Sequence, residues 1–317
     1  MHPAFSVIVF TTLSGAGYGL LFWSALAAAI SGRMPVASLL VAVALALVLV
    51  TVGLLSSLGH LGKPQRSWRA FSQWRTSWLS REGVASVLTY VPALLLAALL
   101  WLDWVDPTSF VFALQPAPLV IAACLLLALC TLATVACTAM IYASLTPIPA
   151  WRHRLVVPIY LLFALLTGGL MLLAILALSG MRIGPAPALV AIVLAVALWW
   201  LKAHYWHDID ATPLPATRGD AVGLPNRTVT RFERPNTEAN YITREMAFVV
   251  ARKHARRLRG LALLLFAALP IACLALAWWP LLAAFMLTIA AVSALLGSFV
   301  ERWLFFAQAK HMVTLYY

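Results

Sequence analysis

The sequence predicts an all-α polytopic membrane protein: eight transmembrane helices in one bundle, with both termini on the same, cytoplasmic side. Three observations lead there. Hydrophobic residues make up 63% of the 317 residues and charged residues 10%, and the mean hydropathy is +0.94; these values lie far outside the soluble globular range. Uncharged apolar runs long enough to cross about 30 Å of hydrocarbon recur eight times, near residues 4–31, 36–59, 83–102, 117–143, 155–178, 184–201, 260–278 and 281–300. Of the 22 Lys and Arg residues, 20 fall on one side once those runs are drawn.

The first run opens without a basic stretch and is too long for a cleaved leader, so it is expected to stay in the chain. Gly15 and Gly19 in it, and Gly168 and Gly169 in the fifth, predict close helix packing. Pro92 and Pro270 predict kinks in the third and seventh. Between runs two and three lies a loop with Lys63, Arg66, Arg69, Arg75 and Arg81; Arg152 and Arg154 follow run four. A long basic loop at about 202–259 begins at Lys202, and Arg302 and Lys310 close the chain. We expect one domain, 1–317, with a basic helix beginning near Glu238 and entering the seventh run.

The other side has Arg33 and Arg182, with Asp103 and Asp106. Because translocating Lys and Arg is unfavourable, the asymmetry predicts cytoplasmic termini and loops in a bacterial inner membrane. A nearly bare far face leaves the cytoplasmic loops to dock a protein partner, with part of the basic excess on anionic lipid. Proline, aromatic and acidic residues in the long loop suit an ordered arm on a protein surface. No nucleic-acid partner is expected.

No charged residue or histidine lies centrally in the runs as bracketed, which argues against a proton pump or ion-coupled carrier and predicts no buried relay. His2, His60, His153, His204, His207, His254 and His311 sit at or beyond the cytoplasmic margin, so no transmembrane haem pair is expected. Cys124, Cys130, Cys137 and Cys273 lack metal-site spacing and read as small packing residues; no metal and no iron–sulfur cluster is expected in this chain.

The remaining candidate chemistry lies between His60, which closes the second run, and Glu82, which opens the third. A histidine at the membrane margin and a carboxyl partly removed from water both exchange protons near neutral pH. That suits a two-electron, two-proton couple such as quinone and quinol. The residue types equally suit a structural reading, with His60 at a helix C-terminus and Glu82 at an N-terminus capped by Ser80. Trp68, Trp74 and Trp78 read as interfacial anchors.

The run His60, Leu61, Gly62, Pro64, Arg66, then Ser77, Leu79, Ser80 and Glu82 resembles the DmsC-like membrane anchor subunits of the dimethyl sulfoxide reductase family. The similarity extends to the order of spans, the turn at 142–151 and the end from Glu301 and Arg302 through Phe305 to His311 and Met312. The resemblance implies an eight-helix anchor that holds a molybdopterin catalytic subunit and an iron–sulfur electron-transfer subunit and exchanges electrons with ubiquinone or menaquinone. It also implies that His60 and Glu82 handle the quinone. Ser86, Tyr142 and Arg302 are further candidates near the ring, Arg302 through a pair with Glu301 or Glu82. Lys63, Arg66, Arg69, Arg75 and Arg81 are candidate docking residues.

Reductases of that family place their catalytic subunits outside the cytoplasm, whereas the charge bias here puts His60, Glu82 and the docking loops inside. A similar anchor, the SoeC-like membrane subunit of cytoplasmic sulfite dehydrogenase, fits the bias better. The expectation is therefore sulfite:quinone oxidoreduction, with dimethyl sulfoxide reduction by menaquinol as the alternative. A small-solute permease and a purely structural tether are more distant alternatives.

Overall fold

The computed structural model describes residues 4–30, 34–106, 118–230, 232–233, 238 and 254–316. Among them are eight helices long and apolar enough to cross a membrane, and no strand. They are α1 Phe5–Ile30, α2 Val36–Ser56, α3 Trp78–Val105, α4 Pro118–Ala143, α5 Val156–Leu178, α6 Pro185–Ala211, α7 Ala255–Leu276 and α8 Pro280–Ala307. Such segments close all their backbone hydrogen bonds internally, the condition for crossing hydrocarbon. Pro185 and Pro280 open α6 and α8, where the missing N–H has no helical partner to lose. α5 ends in a Schellman turn: Gly180, at φ +82°, donates to Ala177, and Met181 donates to Leu176.

Several ends differ from the apolar runs. α3 starts at Trp78 with Ser77, not Ser80, at its N-cap position, and Ser80 is buried. α6 continues to Ala211 and α8 to Ala307, so Lys202, Glu301 and Arg302 belong to helices. Lys202, expected to begin the loop, is buried. A hydropathy count stops at the first charge, whereas a helix continues wherever the bundle can pair that charge. The expected basic helix from Glu238 falls mostly at residues 239–253, outside the described residues; α7 starts at Ala255. In the long loop a single turn, Arg218–Ala221, is held by a capping box between Thr217 and Asp220. Hydrogen bonds from the Thr217 backbone and hydroxyl keep the Asp220 carboxyl below its ordinary range.

α1 is the central helix and packs against α2, α4, α5 and α8. Its glycines permit this. A Cβ on Gly19 would lie 1.7 Å from the Ala164 carbonyl oxygen, and one on Gly168 would lie 2.1 Å from Gly19 C, so α1 and α5 cross with their backbones touching. Gly17 and Gly53 serve the α1–α2 crossing in the same way. Gly15, expected to share this role, has nothing within 4 Å of an added Cβ. In α7 a π-turn at Leu264–Ala268 precedes Pro270, and Ser293 on α8 donates to the Leu265 carbonyl at 2.7 Å. A proline has no N–H for the preceding turn, so a neighbouring hydroxyl supplies the donor.

Gly168→Ala should force α1 and α5 apart and cost about 1–3 kcal/mol. Gly15→Ala should be close to neutral. Thermal unfolding of the two variants in the same detergent checks this difference.

Candidate functional site

The loop between α2 and α3 is built from two 3₁₀ segments, Ser57–His60 and Pro64–Phe71. Phe71 folds back so that its ring lies 3.3 Å from where a Gly83 Cβ would sit, which lays the loop over the first turns of α3. Arg81 stacks on Trp78 at 4.2 Å and donates to the carbonyls of Trp74 (3.0 Å) and Arg75 (2.6 Å). Its guanidinium therefore closes the loop, while Lys63, Arg66, Arg69 and Arg75 remain exposed. Trp68 and Trp74 are also exposed, each beside the arginine that follows it.

His60 is exposed at the end of the first 3₁₀ segment, whereas Glu82 is 5% exposed. Their side chains are not hydrogen-bonded to each other. Glu82 instead faces the bundle, where Thr138 of α4 lies 3.1 Å from its Oε1. The Thr138 hydroxyl lies 3.1 Å from the Thr134 carbonyl as well, so its one proton has two acceptors. Ser86, one turn further along α3, is buried beside Tyr18 of α1. Tyr90 on the same helix bonds Thr51 of α2 at 2.6 Å on the exposed side of the seam.

A second polar centre lies across the bundle. Glu301 is 0% exposed and sits between Lys202 of α6, at 2.6 Å, and Arg302, at 3.0 Å. Lys202 (1% exposed) lies over Tyr205 and Trp206, at 4.1 and 4.6 Å from their ring centres. Arg302 (2% exposed) lies 3.5 Å from the centre of the Tyr160 ring. Such charges persist in a bundle only when paired. Of the two partners expected for Arg302, the structure selects Glu301. These charges lie just past the apolar runs and not centrally in them: extension of α6 and α8 beyond residues 201 and 300 takes Lys202, Glu301 and Arg302 into buried helical positions, as the earlier start of α3 does for Glu82.

Tyr142 is buried in an aromatic cluster with Trp151, Tyr160, Phe305 and Phe306, at centroid distances of 5.2–6.1 Å. Trp151 donates to the Phe305 carbonyl, Tyr205 to the Ala150 carbonyl, and the Met312 amide to the Pro147 carbonyl. The turn at 142–151 and the chain end from Glu301 to Met312, far apart in sequence, thus form one packed unit around the triad. Arg259 of α7 ties the same end to Asp210 and Gln308.

Comparison with known proteins agrees with this architecture. The model of the DMSO reductase anchor subunit (DmsC) family matches residues 1–308. The chain belongs to the DmsC family. It is 34% identical over 336 aligned positions to the C subunit of the sulfite dehydrogenase of Allochromatium vinosum, covering 100% of this chain and 99% of that relative. This DmsC-family chain is a multi-pass membrane anchor subunit of the DMSO reductase family.

The residues that sequence reasoning passed over are Thr138, Tyr18, Lys202 and the full role of Glu301. A signal for the first was present: Thr131, Thr134 and Thr138 recur at helical spacing in α4, a buried polar stripe in an apolar helix. Lys202 and Glu301 lie 99 residues apart and share no local pattern.

Removing one partner of a buried pair costs about 3–5 kcal/mol. Glu301→Gln should fall in that range, because it leaves two buried cations unpaired. Lys202→Met should be milder, since Arg302 and Glu301 remain as a neutral pair. Detergent unfolding of both variants tests the order.

Proposed function

We propose that this chain is the quinone-reactive anchor of a molybdopterin iron–sulfur oxidoreductase, passing electrons from sulfite oxidation to quinone. The observation that carries the reading is Glu82: a buried carboxyl about 6 Å along α3 from its first residue, by the helical rise, hydrogen-bonded by Thr138 and covered by an exposed basic loop. The relative's name supports sulfite as the electron source.

In this reading the quinone ring approaches from lipid along the α2–α3 seam, past exposed Leu55 and Val87. Reduction takes two electrons and two protons. Glu82 supplies one proton to a reduced ring oxygen, and exposed His60 supplies or relays the second from the adjoining water. Ser86 and Tyr142 stand behind Glu82 as buried polar support. Arg302 acts from the triad and does not touch the ring. The partner iron–sulfur subunit docks on Lys63, Arg66, Arg69 and Arg75 and brings its last cluster near Glu82, while the molybdopterin subunit completes the complex beyond it. The charge bias supports a cytoplasmic orientation of this face in a bacterial inner membrane. Protons are then taken up and released on one side, so turnover builds no membrane potential.

The complex that co-purifies with this chain should reduce a soluble quinone with sulfite, and Glu82→Gln should lower that rate by at least about 100-fold, the lower end for general acid–base catalysis, while assembly persists. Unchanged turnover removes Glu82 from the site; quinol-driven S-oxide reduction without sulfite activity moves the chain to the reductase branch. A C-terminal green fluorescent protein fusion should fluoresce and a C-terminal alkaline phosphatase fusion should be inactive. The reverse pattern overturns the cytoplasmic placement.

A further inference from the structure

At the end of the bundle where α1 and α5 finish and α6 begins, opposite the loop that covers Glu82, a groove runs between these three helices. Trp23 and Ile30 of α1, Leu165 and Leu176 of α5, and Val190 and Leu194 of α6 line it, and the turn at 181–184 forms its mouth. α1 and α6 each pack on α5, and the groove is the cleft left between them. Its volume of about 220 Å³ lies below the about 300–1,000 Å³ of pockets that enclose a compact ligand. Its length is more telling. From Leu176 to Leu165 the α5 wall descends about 16 Å by the helical rise, close to the roughly 15 Å that one leaflet contributes to a hydrocarbon core of about 30 Å. The cleft has the dimensions of a slot for one acyl chain.

Charge is confined to the mouth. Arg182 is the one charged residue of the lining; it is exposed and forms no ion pair among the described residues. It stands just before Pro185, the first residue of α6, where the helix dipole has the same sign. The inner end offers nothing to a polar ring. The Trp23 indole N–H, the only side-chain donor there, is spent on the Leu165 carbonyl at 2.8 Å, and tryptophan has no acceptor. Gly169 gives that indole its room, since a Cβ there would lie 3.0 Å from Trp23 Nε1. A quinone needs donors for its carbonyl oxygens, so this inner end suits a hydrocarbon chain and not a quinone ring. No Asp or Glu belongs to the lining, so a headgroup ammonium would find no counter-charge in it.

We propose that this groove binds an anionic phospholipid from the leaflet opposite the basic loops, with one acyl chain in the cleft and the phosphate on Arg182. The planar guanidinium matches two phosphate oxygens at once. The second acyl chain stays in the bilayer, outside exposed Val190. The bound chain completes the contact between α1 and α6 that their own side chains leave open. Arg182 thereby has a use on a face where a translocated cation is unfavourable. The inference does not depend on the role proposed for Glu82, which lies at the other end of the bundle.

The test uses the intact complex. In nanodiscs of dioleoyl phosphatidylglycerol, a high-resolution density map should show a chain between α1 and α6 with its phosphate at Arg182; an empty groove, or a quinone in it, overturns the proposal. Native mass spectrometry of the delipidated complex, titrated with the same lipid, supplies a second readout. Arg182→Gln should lose one bound phosphatidylglycerol, its affinity falling at least about tenfold. Val190→Trp, which fills the cleft from the exposed side of α6, should lose the same one. Lipids held by the basic face are common to all three proteins, so the difference belongs to the groove. Arg182 is exposed, so its replacement disturbs no packing, and Arg182→Gln decides the matter even if Val190→Trp fails to fold. Dioleoyl phosphatidylcholine should bind the wild type no better than it binds Arg182→Gln. Phosphatidylglycerol binding that is indifferent to Arg182, or phosphatidylcholine held as tightly as phosphatidylglycerol, also overturns the proposal.

Discussion

Glu301 holds two buried cations, and much of this end of the bundle is arranged so that it can. Lys202 comes from α6, Arg302 from α8, and the rings of Tyr160, Tyr205 and Trp206 cover both. A cation in a membrane interior is tolerated only with a counter-charge and polarizable neighbours, so these helices must meet at one depth. That requirement fixes α6 relative to α8 more firmly than apolar contact can, because lipid tails compete with leucine for leucine. It also explains why the turn at 142–151 and the chain end pack on each other, since they close the aromatic wall around the triad.

Close glycine crossings do the corresponding work where apolar helix faces meet. With Gly17, Gly19, Gly53 and Gly168 at the contacts, α1 sits near enough to α2 and α5 for backbone to touch backbone. Van der Waals contact at that range is the main attraction available between apolar helices in lipid. The central helix then brings Thr12 and Tyr18 to one small pocket with Thr138 and Tyr160. The meeting of these polar side chains therefore depends on glycines that have none.

Glu82 illustrates how far residue order reaches. Its place at the opening of a span, downstream of His60 and a basic loop, is visible in the sequence, and that arrangement points to proton exchange at a membrane margin. Its neighbour Thr138 is 56 residues away, and no spacing rule joins them. His60, paired with Glu82 in the sequence reading, is exposed while Glu82 is buried, so the two serve different environments. Arg81 shares the sign and the loop of Lys63 and Arg66, yet its hydrogen bonds turn it inward. Charge can be counted in a sequence; direction cannot.

By itself the sequence determined what the bilayer demands of any chain: eight apolar helices, a strongly basic side, and a histidine and a carboxyl at that margin. Those properties follow from transfer free energies that add along the chain. Only the tertiary structure decided where α6 and α8 end, that Glu301 and not Glu82 takes Arg302, and that Thr138 meets Glu82. Each of these is set by a pairing between distant residues, and the free energy of such a pair exists only after the helices have packed.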